Sequence, residues 1–563
     1  MTAARRTLLP YRSGAGGYRR LTAGPAEPHT VRTDLGGPAP TGRLRPLLAF
    51  AQVSDLHITD AQSPSRAEYL DRLADDDSPV AALVGPVGTY RAQEALTHHV
   101  AEAMATVLRN LDGAPVTGAP LAFAVATGDS ADNAQANEIE ASIGLLAGTS
   151  LGGDREIRPD SGDTSRWEGV GSADAYDPRY WHPDGTPPGE VDDRPRSRYG
   201  FPLVPGLLDA ARRPFRAGGL GLPWHPVYGN HDCLVAGTVA PTPLMRRVAR
   251  GRRKATGSPE GIPPELLVAF FGDCERANPS LTGPLPKVPW RSVFPDPGRD
   301  QLGRDAWLTA HDGRSARPAG APTWYGWDAG PVRCLVLDTV NVNGGWQGSL
   351  DAEQLAWLQE ELMAGSRRFL GTDGRLREHD VEDRLFVLFS HHPPHCLINP
   401  WAPGGEHRVL AGELEAVLRR FPNLVAWVNG HTHANTVTAH RHDPAVGGGW
   451  WEITTASHVD WPQQARVIEL AEDPVGGTVV LACTVVDHAG LVDPSAGSLD
   501  DVLTLAGWSR ELAVNDWQRA AGRLEPDGRG CPTDRNVILV SPVAVPRSAL
   551  SVSAVPAATS SEA

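Results

Sequence analysis

Short apolar runs of strand length recur along the middle of the chain, and several of them end close to a polar residue. The runs lie at residues 47–53, 121–126, 226–228, 385–389 and 424–428, and they are followed in that order by Asp55, Asp129, Asn230, His391 and His431. Apolar runs bounded by polar and turn-forming residues are typical of buried strands. The pattern therefore predicts strands that carry candidate functional residues at their carboxyl ends.

Further apolar runs and helical periodicities alternate with these strands. Strands are also predicted at 332–337, 450–455, 465–470 and 478–486, and helices at about 90–111, 135–147, 351–364 and 411–420. Strands that alternate with helices predict an α/β fold. In such folds ligands bind beyond the carboxyl ends of the strands, which is where the polar residues fall.

The pattern also divides the chain into a main domain and its surroundings. Residues 45–490 form the predicted main domain, interrupted at about 149–222 and 236–325 by segments rich in Gly, Pro, Arg and Asp. We expect these insertions to be partly ordered over the entrance to the site, with plain disorder as the alternative. Three segments are predicted outside this domain: a disordered N-terminal arm at 1–44, a helical or irregular extension at 491–540 and a disordered tail at 541–563.

The composition excludes several classes of protein. With 563 residues, of which 41% are hydrophobic and 21% charged, the chain has the balance of a large globular protein. No apolar run reaches the roughly 18 residues that a membrane span needs. No apolar stretch follows Arg5-Arg6 or Arg19-Arg20 as it would in an export signal, so a cytoplasmic location is predicted. The net charge of −15 disfavours nucleic acid as a partner, because phosphate backbones repel it.

Asp55-Leu56-His57 comes directly after the first of these strands. Because side chains alternate along a strand, Asp55 and His57 point to the same side and can face one ion. The alternative for this block taken alone is a strand-end turn with an exposed histidine.

Gly128-Asp129-Ser130-Ala131-Asp132 follows the second strand. Gly128 allows a sharp backbone turn there, which leaves the Asp129 carboxylate free to bridge two cations with its two oxygens. For Asp132 we favour a cap on the helix that begins near Gln135, or support of a ligand from behind, over direct contact with a metal.

Gly229-Asn230-His231-Asp232 is the most selective short block in the chain. The neutral Asn230 oxygen can complete the coordination of a metal, which leaves His231 free to contact a substrate. Asp232 is placed to orient and charge the His231 imidazole.

Histidines dominate the last two blocks. Ser390-His391-His392-Pro393-Pro394 ends a strand, and one of its two histidines is a candidate ligand; His392 is equally suited to touching substrate or to packing behind the site. Gly430-His431-Thr432-His433 places two histidines on one side, so that each can serve a different ion of a close pair. His440-Arg441-His442 has the same spacing but lacks a preceding glycine turn, and we predict that it lies on the surface.

Together, these ordered blocks resemble the calcineurin-like metallophosphoesterase superfamily. The long gaps between blocks make the chain similar to long-insert actinobacterial members, which often carry an export signal. The resemblance implies an α/β fold, a two-sheet β sandwich flanked by helices, with residues 45–490 as the catalytic domain. The blocks that carry it are Asp55-x-His57, Gly128-Asp129-x-x-Asp132, Gly229-Asn230-His231-Asp232, His391-His392-Pro393-Pro394 and Gly430-His431-x-His433.

The resemblance also implies a site for two divalent or trivalent metal ions, and Mn, Fe, Zn or Co would suit its mixed nitrogen and oxygen ligands. One ion would be held by Asp55, His57, Asp129 and His433, and the other by Asp129, Asn230, His391 and His431. His231 and Asp232 would be catalytic, and His392 and Asp132 would bind substrate or support the ligands.

The function implied is a dinuclear metal-dependent hydrolase of phosphate esters. A metal-bridging hydroxide would attack phosphorus in line, and the substrate would be a phosphodiester or phosphomonoester of a small molecule or nucleotide. Two alternatives share the fold: a nuclease acting on DNA or RNA, and a non-catalytic metal-binding scaffold. The sequence leaves the oligomeric state open.

Overall fold

A computed structural model describes residues 2–84, 87–148, 156–159, 167–258, 263–265, 287–518 and 527–544. Strands are numbered β1 to β23 and helices α1 to α10 in chain order. Two large mixed sheets form the centre of the molecule. Both are made of the apolar runs on which the sequence prediction rests.

The larger sheet has seven strands, and three of them run parallel with their carboxyl ends at one edge. Its members, in spatial order, are β3 (Thr30–Arg32), β23 (Val537–Ala544), β22 (Thr478–Asp487), β21 (Gln464–Asp473), β4 (Arg45–Val53), β5 (Phe123–Ala126) and β8 (Trp224–Pro226). The parallel strands β4, β5 and β8 each lead into one of the candidate blocks. The antiparallel hairpin β21–β22 covers the other side of β4.

The second sheet has six strands and also contains a parallel centre. Its members, in spatial order, are β11 (Tyr325–Ala329), β12 (Val332–Val336), β16 (Leu385–Phe389), β18 (Leu424–Asn429), β20 (Gly449–Thr454) and β19 (Thr436–Arg441). β12, β16, β18 and β20 run parallel. The histidine blocks follow β16 and β18.

Short strand pairs and helices complete the architecture. The pairs are β1 (Thr7–Arg12) with β2 (Arg19–Gly24), β6 (Glu156–Ile157) with β7 (Phe215–Arg216), β9 (Arg253–Ala255) with β10 (Trp290–Ser292), β13 (Leu350–Asp351) with β17 (Arg408–Val409), and β14 (Arg368–Leu370) with β15 (Leu376–Glu378). The helices are α1 (Ala81–Val84), α2 (Thr97–Arg109), α3 (Ala136–Ala147), α4 (Arg194–Tyr199), α5 (Leu207–Ala211), α6 (Pro243–Ala249), α7 (Arg304–His311), α8 (Ala352–Ala364), α9 (Ala411–Leu418) and α10 (Val502–Ala513). No helix within the described ranges has the length and apolar character that crossing a bilayer requires.

The two sheets pack face to face, and this packing explains why β4 is apolar at the consecutive positions 47–51. Phe50 belongs to the core between the sheets, which also contains Phe389 and Val428 of the second sheet. The neighbouring Ala51 belongs to the core beneath α2 and α3. A strand that is buried on both faces is apolar at consecutive positions rather than at alternate ones.

The second sheet is covered in the same way on its outer face. Leu358 of α8 and Leu414 of α9 pack against Phe386 and Trp427. The layers are therefore helices, sheet, sheet and helices. The predicted α/β fold, a two-sheet sandwich flanked by helices, is confirmed.

The N-terminal residues depart from the prediction. Residues 1–44 were expected to form a disordered arm, but β1 and β2 form a hairpin and β3 joins the seven-stranded sheet beside β23. Leu8 and Leu21 of the hairpin pack against Trp461 and Val514. Some apolar residues of this segment are thus buried against partners far away in sequence, which no local periodicity can reveal.

The C-terminal residues also depart from the prediction. The segment 491–540, expected to be helical or irregular, contains α10 but ends in β23, a strand inside the large sheet. The tail was predicted to be disordered from residue 541, yet β23 extends to Ala544; residues 545–563 lie outside the described residues.

The insertion at 236–325 is anchored to the loop after β4 by two buried ion pairs. Lys254 Nζ lies 2.7 Å from Glu68 Oε1, and Arg299 Nε lies 2.7 Å from Asp60 Oδ2. The side chains of all four residues are at most 3% exposed. Removing one partner of a buried pair leaves an uncompensated charge, so these contacts fix the insertion on the sandwich.

The stacking between the sheets generates a first prediction. Phe50 is fully buried, with the rings of Phe123 and Phe389 at 5.2 and 5.5 Å. Phe50→Ala should lower the free energy of unfolding by about 3–5 kcal/mol, because it opens a cavity between two sheets. Val475→Ala, at a position 75% exposed, should change it by less than about 0.5 kcal/mol in the same urea titration. Equal effects of the two substitutions would contradict this account of the core.

Candidate metal centre

The candidate ligands converge from both sheets at one edge of the sandwich. Asp55 and His57 follow β4, Asp129 follows β5, and Asn230 follows β8. His391 follows β16, and His431 and His433 follow β18. Parallel neighbouring strands end at the same edge, so the fold brings together residues that are hundreds of positions apart in sequence.

The backbone of this region is strained at the candidate ligands themselves. Five of them have positive φ: Asp55 (50°), His57 (44°), Asp129 (50°), His431 (69°) and His433 (56°). Residues with a Cβ rarely adopt this conformation, and it persists where the surrounding structure enforces it, as at functional sites. The strain thus lies where the sequence places its chemistry.

Gly128 allows two of the strand-end loops to touch. A Cβ at this position would lie 2.5 Å from His391 Nδ1, and its φ of +90° is unfavourable for other residues. Only glycine therefore permits Asp129 and His391 to meet, which explains the Gly-Asp pair of the second block in physical terms.

The first group of ligand atoms comprises Asp55, His57 and His433. Their ligand atoms lie within 4.8 Å of one another. The Nε2 atoms of His57 and His433 are 3.2 Å apart, and His433 Nε2 is 3.4 Å from Asp55 Oδ1. Asp129 Oδ2 is 3.7 Å from His57 Nε2.

Carboxylates behind the two rings fix how the rings are presented. His57 Nδ1 donates to Asp132 Oδ1 at 2.9 Å, and His433 Nδ1 donates to Asp460 Oδ2 at 2.6 Å. The facing Nε2 atoms are then the ones available to a metal, the arrangement typical of metal-binding histidines. Two ring nitrogens 3.2 Å apart must share a proton or a cation, so the donor set fits a metal ion.

The second group is centred on His391. Its Nε2 lies 3.1 Å from Asp129 Oδ2, 2.8 Å from Asn230 Oδ1 and 3.1 Å from His431 Nδ1. Its Nδ1 donates to the Thr127 carbonyl at 2.9 Å, which again leaves Nε2 facing inward. Asn230 Nδ2 donates outward, so its oxygen is the atom that faces the group. Asp129 borders both groups.

The electrostatics of the buried groups favour bound cations. Burial opposes ionisation of Asp129, but His391 and His231 hold its pKa well below the usual range. Burial would lower the pKa of His391, yet Asp129 and Asp55 raise it to about 9. Each carboxylate thus requires positive charge beside it, which a metal ion supplies.

His231 stands at the mouth of the site. Its side chain is 21% exposed, and its ring packs edge-to-face on His57 with centroids 4.4 Å apart. Its Nδ1 donates to the Asp132 carbonyl at 2.7 Å. The ring is therefore fixed in place with one edge toward solvent, where a substrate could reach it.

Asp232 does not orient His231 as the sequence suggested. Its Oδ1 accepts from the amides of Ser130 and Ala131 at 2.9 and 3.0 Å, and its Oδ2 accepts from the amide of Gly229 at 2.9 Å. The carboxylate is fully buried and ties the loop after β5 to the loop after β8. Adjacency in sequence misled here, because the turn points the two side chains apart.

Asp132 supports a ligand instead of capping a helix. Besides His57, it accepts hydrogen bonds from Arg66 Nη1 and, at 2.9 Å, from Asn133 Nδ2. The helix that follows, α3, has Gln135 at its N-cap position without a side-chain cap. Of the roles weighed for Asp132 from the sequence, support from behind a ligand is the one that matches these contacts.

His392 is packed behind the site. Its side chain is fully buried; Nδ1 lies 2.8 Å from Thr339 Oγ1, and Nε2 lies 3.1 Å from the Trp346 carbonyl. Both nitrogens are thus hydrogen-bonded within the protein, whereas the His391 Nε2 atom faces the carboxylates. The arrangement favours His391 as the ligand and a packing role behind it for His392. The ligand atoms of His391, His392 and His431 nevertheless lie within 4.8 Å of one another.

The other His-x-His segment lies outside the centre. His440 Nε2 bonds to Glu452 Oε2 at 2.6 Å, and its ring stacks on Trp450 at 5.1 Å. His442 is 3% exposed, so the prediction that this segment lies on the surface was wrong for that residue. The His442 ring packs against the buried Trp450 ring, with centroids 5.3 Å apart.

Three supporting residues carried no sequence signal. Asp460 accepts from His433 and also pairs with Arg91 Nε at 2.8 Å. Arg66 pairs with Asp132 and, at 2.6 Å, with Glu94. These residues lie in loops and form no recognisable sequence motif. Only the folded chain brings them behind His57 and His433.

One curated protein matches part of the chain. A glycerophosphodiester phosphodiesterase, GpdQ of Enterobacter lignolyticus (strain SCF1), is 30% identical over 121 residues, which are 21% of this chain and 36% of that protein. The chain thus spans about a third of the length of this curated relative. No protein-family model matches the chain.

Two solved structures resemble the chain at low scores. A dimetal phosphatase from Danio rerio has a TM-score of 0.30 and 12% identity, covering 78% of this chain and 96% of its own. Purple acid phosphatase PPD1 from yellow lupin (Lupinus luteus) seeds has a TM-score of 0.28 and 9% identity. The match covers 84% of this chain and 56% of that protein. Scores of this size do not define a common fold. The predicted resemblance to the calcineurin-like metallophosphoesterases is confirmed by the glycerophosphodiesterase match.

The carboxylates behind the histidines generate a second prediction. Asp132→Asn and Asp460→Asn should each weaken metal binding by about 10- to 100-fold, because a neutral amide orients the ring less firmly. Metal titration of chelator-stripped protein would measure this. Asp473→Asn, another buried carboxylate that lies at the end of β21, should leave the affinity unchanged. Unaltered affinity in the first two variants would disprove the supporting role.

Gly237 generates a third prediction. A Cβ there would lie 2.2 Å from His231 Nε2 and 2.5 Å from Asn230 Nδ2, and its φ is +65°. Gly237→Ala should displace both side chains and weaken binding of at least one ion by about 10-fold or more. Gly320→Ala is the control, since Gly320 has a φ of +72° in open space. Equal metal affinity in the two variants would show that Gly237 does not position the site.

Proposed function

We propose that this chain is a dinuclear metal-dependent hydrolase of phosphate esters that acts on a small molecule or nucleotide. The observation that supports it most is the pair of ligand groups that share the Asp129 carboxylate. Asp129 Oδ2 lies 3.1 Å from His391 Nε2 on one side and 3.7 Å from His57 Nε2 on the other. A carboxylate between two such groups is suited to bridging two close ions.

The two groups are compatible with the ligand sets that the resemblance implies. One ion would be held by Asp55, His57, Asp129 and His433, and the other by Asp129, Asn230, His391 and His431. The mixed nitrogen and oxygen donors suit Mn, Fe, Zn or Co. When bound, two close ions polarise a phosphate ester and activate water for in-line attack on phosphorus.

His231 is the protein group that we assign to the substrate. Its Nδ1 proton is held by the Asp132 carbonyl, and the ring is braced on His57. Its Nε2 can then approach the leaving oxygen of the ester. Burial lowers the pKa of His231 to about 4, so the resting ring is neutral with its proton on Nδ1. Nε2 would have to take up a proton during the reaction before it could donate to the leaving oxygen.

Asp232 contributes to the reaction by holding loops in place. By accepting amides from both loops, it fixes Asp129 and Asn230 relative to each other. We therefore replace the catalytic role expected from the sequence with a positioning role.

The matched relative supports a phosphodiester among the candidate substrates, since its name describes a glycerophosphodiester phosphodiesterase. The net charge of −15 weighs against a nucleic-acid substrate. A small phosphate ester remains the best-supported class.

The proposal predicts metal-dependent hydrolysis. Chelator-stripped protein should be inactive, and restoring Mn, Fe, Zn or Co should return turnover of a chromogenic phosphodiester, a matching monoester, or both. Asn230→Ala and His231→Ala should each lower kcat/KM by about 100-fold or more. His440→Ala, in the unrelated His-x-His segment, should leave it unchanged. Two bound ions per chain without turnover of either ester would instead favour a non-catalytic scaffold.

A further inference from the structure

An exposed tryptophan stands beside the second group of ligands. Trp346 is 40% exposed, and its ring lies against His431 with centroids 5.9 Å apart and an interplanar angle of 18°. A large aromatic side chain in this position presents an apolar face next to a buried polar centre. Single exposed apolar residues are common on protein surfaces. What distinguishes Trp346 from the more exposed Trp290 is its contact with a candidate metal ligand.

The loop that carries Trp346 is fixed from several directions. Asn399 Nδ2 donates to the Gly344 carbonyl at 2.8 Å, and the Gly345 amide donates to the Thr238 carbonyl at 2.8 Å. The carbonyl of Trp346 itself accepts from His392 Nε2 at 3.1 Å. The ring is therefore held at the rim by its backbone, and its exposure does not come from a loose loop.

The surroundings of the ring connect it to the centre and extend its apolar character. Thr238 follows Gly237, which lies against His231, so the rim is continuous from His231 to Trp346. Val342, in the same loop, is 39% exposed, and Ile398, beside Asn399, is 54% exposed. The loop thus presents a fixed aromatic ring, and exposed apolar residues lie near it in sequence.

We propose that Trp346 forms a stacking wall for a planar aromatic group carried by the phosphate of the substrate. This inference rests on the proposed function, because a phosphate at the metal centre would place its organic group beside His431. Stacking on an aromatic side chain depends on a π face and not on particular hydrogen bonds. The enzyme would accordingly prefer aryl phosphate esters to aliphatic ones.

The test compares the binding of two non-hydrolysable ligands to the metal-reconstituted full chain. Phenylphosphonate and methylphosphonate share the phosphonate group. The first carries an aromatic ring on phosphorus, and the second carries a methyl group. Calorimetric titration should show the wild-type chain binding phenylphosphonate more tightly by roughly 5- to 100-fold. Trp346→Ala should abolish this preference and leave methylphosphonate binding unchanged, whereas Trp346→Phe should retain most of it.

Controls separate this inference from the proposed function. Trp290→Ala, at another tryptophan that is 50% exposed, should preserve the preference. A preference that survives Trp346→Ala, or an equal loss of both ligands in that variant, would overturn the stacking wall and leave the hydrolase proposal standing. Failure of the wild-type chain to bind methylphosphonate in the presence of metal would overturn the proposed function, and the stacking wall with it.

Discussion

The site depends on one electrostatic constraint, the crowding of ring nitrogens around the Asp129 carboxylate. Nε2 of His57 and Nε2 of His433 are 3.2 Å apart, and His391 Nε2 is 3.1 Å from His431 Nδ1. Ring nitrogens approach this closely only when a proton or a cation lies between them. Hydrogen bonds to the outer ring nitrogens orient the rings and so maintain these short distances. Burial keeps water from replacing the contacts between the ring nitrogens.

The sandwich is what makes such crowding possible. Strands of both sheets end at one edge, and the strained turns that follow them point the ligands inward. Positive φ at five candidate ligands costs conformational energy, and a rigid core must hold these turns in place. The fully buried Phe50 and Phe389 pack against each other between the two sheets, and this packing holds the strands from which the turns begin.

The alternation of strands and helices predicted the α/β fold, and the resemblance carried by the strand-end blocks implied the sandwich and the seven candidate ligands. It did not reveal Arg66, Arg91 or Asp460, since ion pairs across loops leave no periodic trace. It misassigned Asp232, whose neighbour in sequence is not its neighbour in space. It also missed β3 and β23, because strands that pair across the whole length of a chain have only weak local patterns.

The ion pairs that anchor the insertion at 236–325 continue to the candidate centre. Lys254 pairs with Glu68, whose Oε1 is 3.6 Å from Arg66 Nε, and Arg66 pairs with Asp132 behind His57. A chain of buried charges therefore connects this insertion to a candidate ligand. Any coupling through these charges would be reciprocal: an ion that stabilised the docked insertion would bind more tightly, by the same factor, when the insertion is docked. The insertion and the centre would then behave as one cooperative unit, in which the insertion contributes to metal retention.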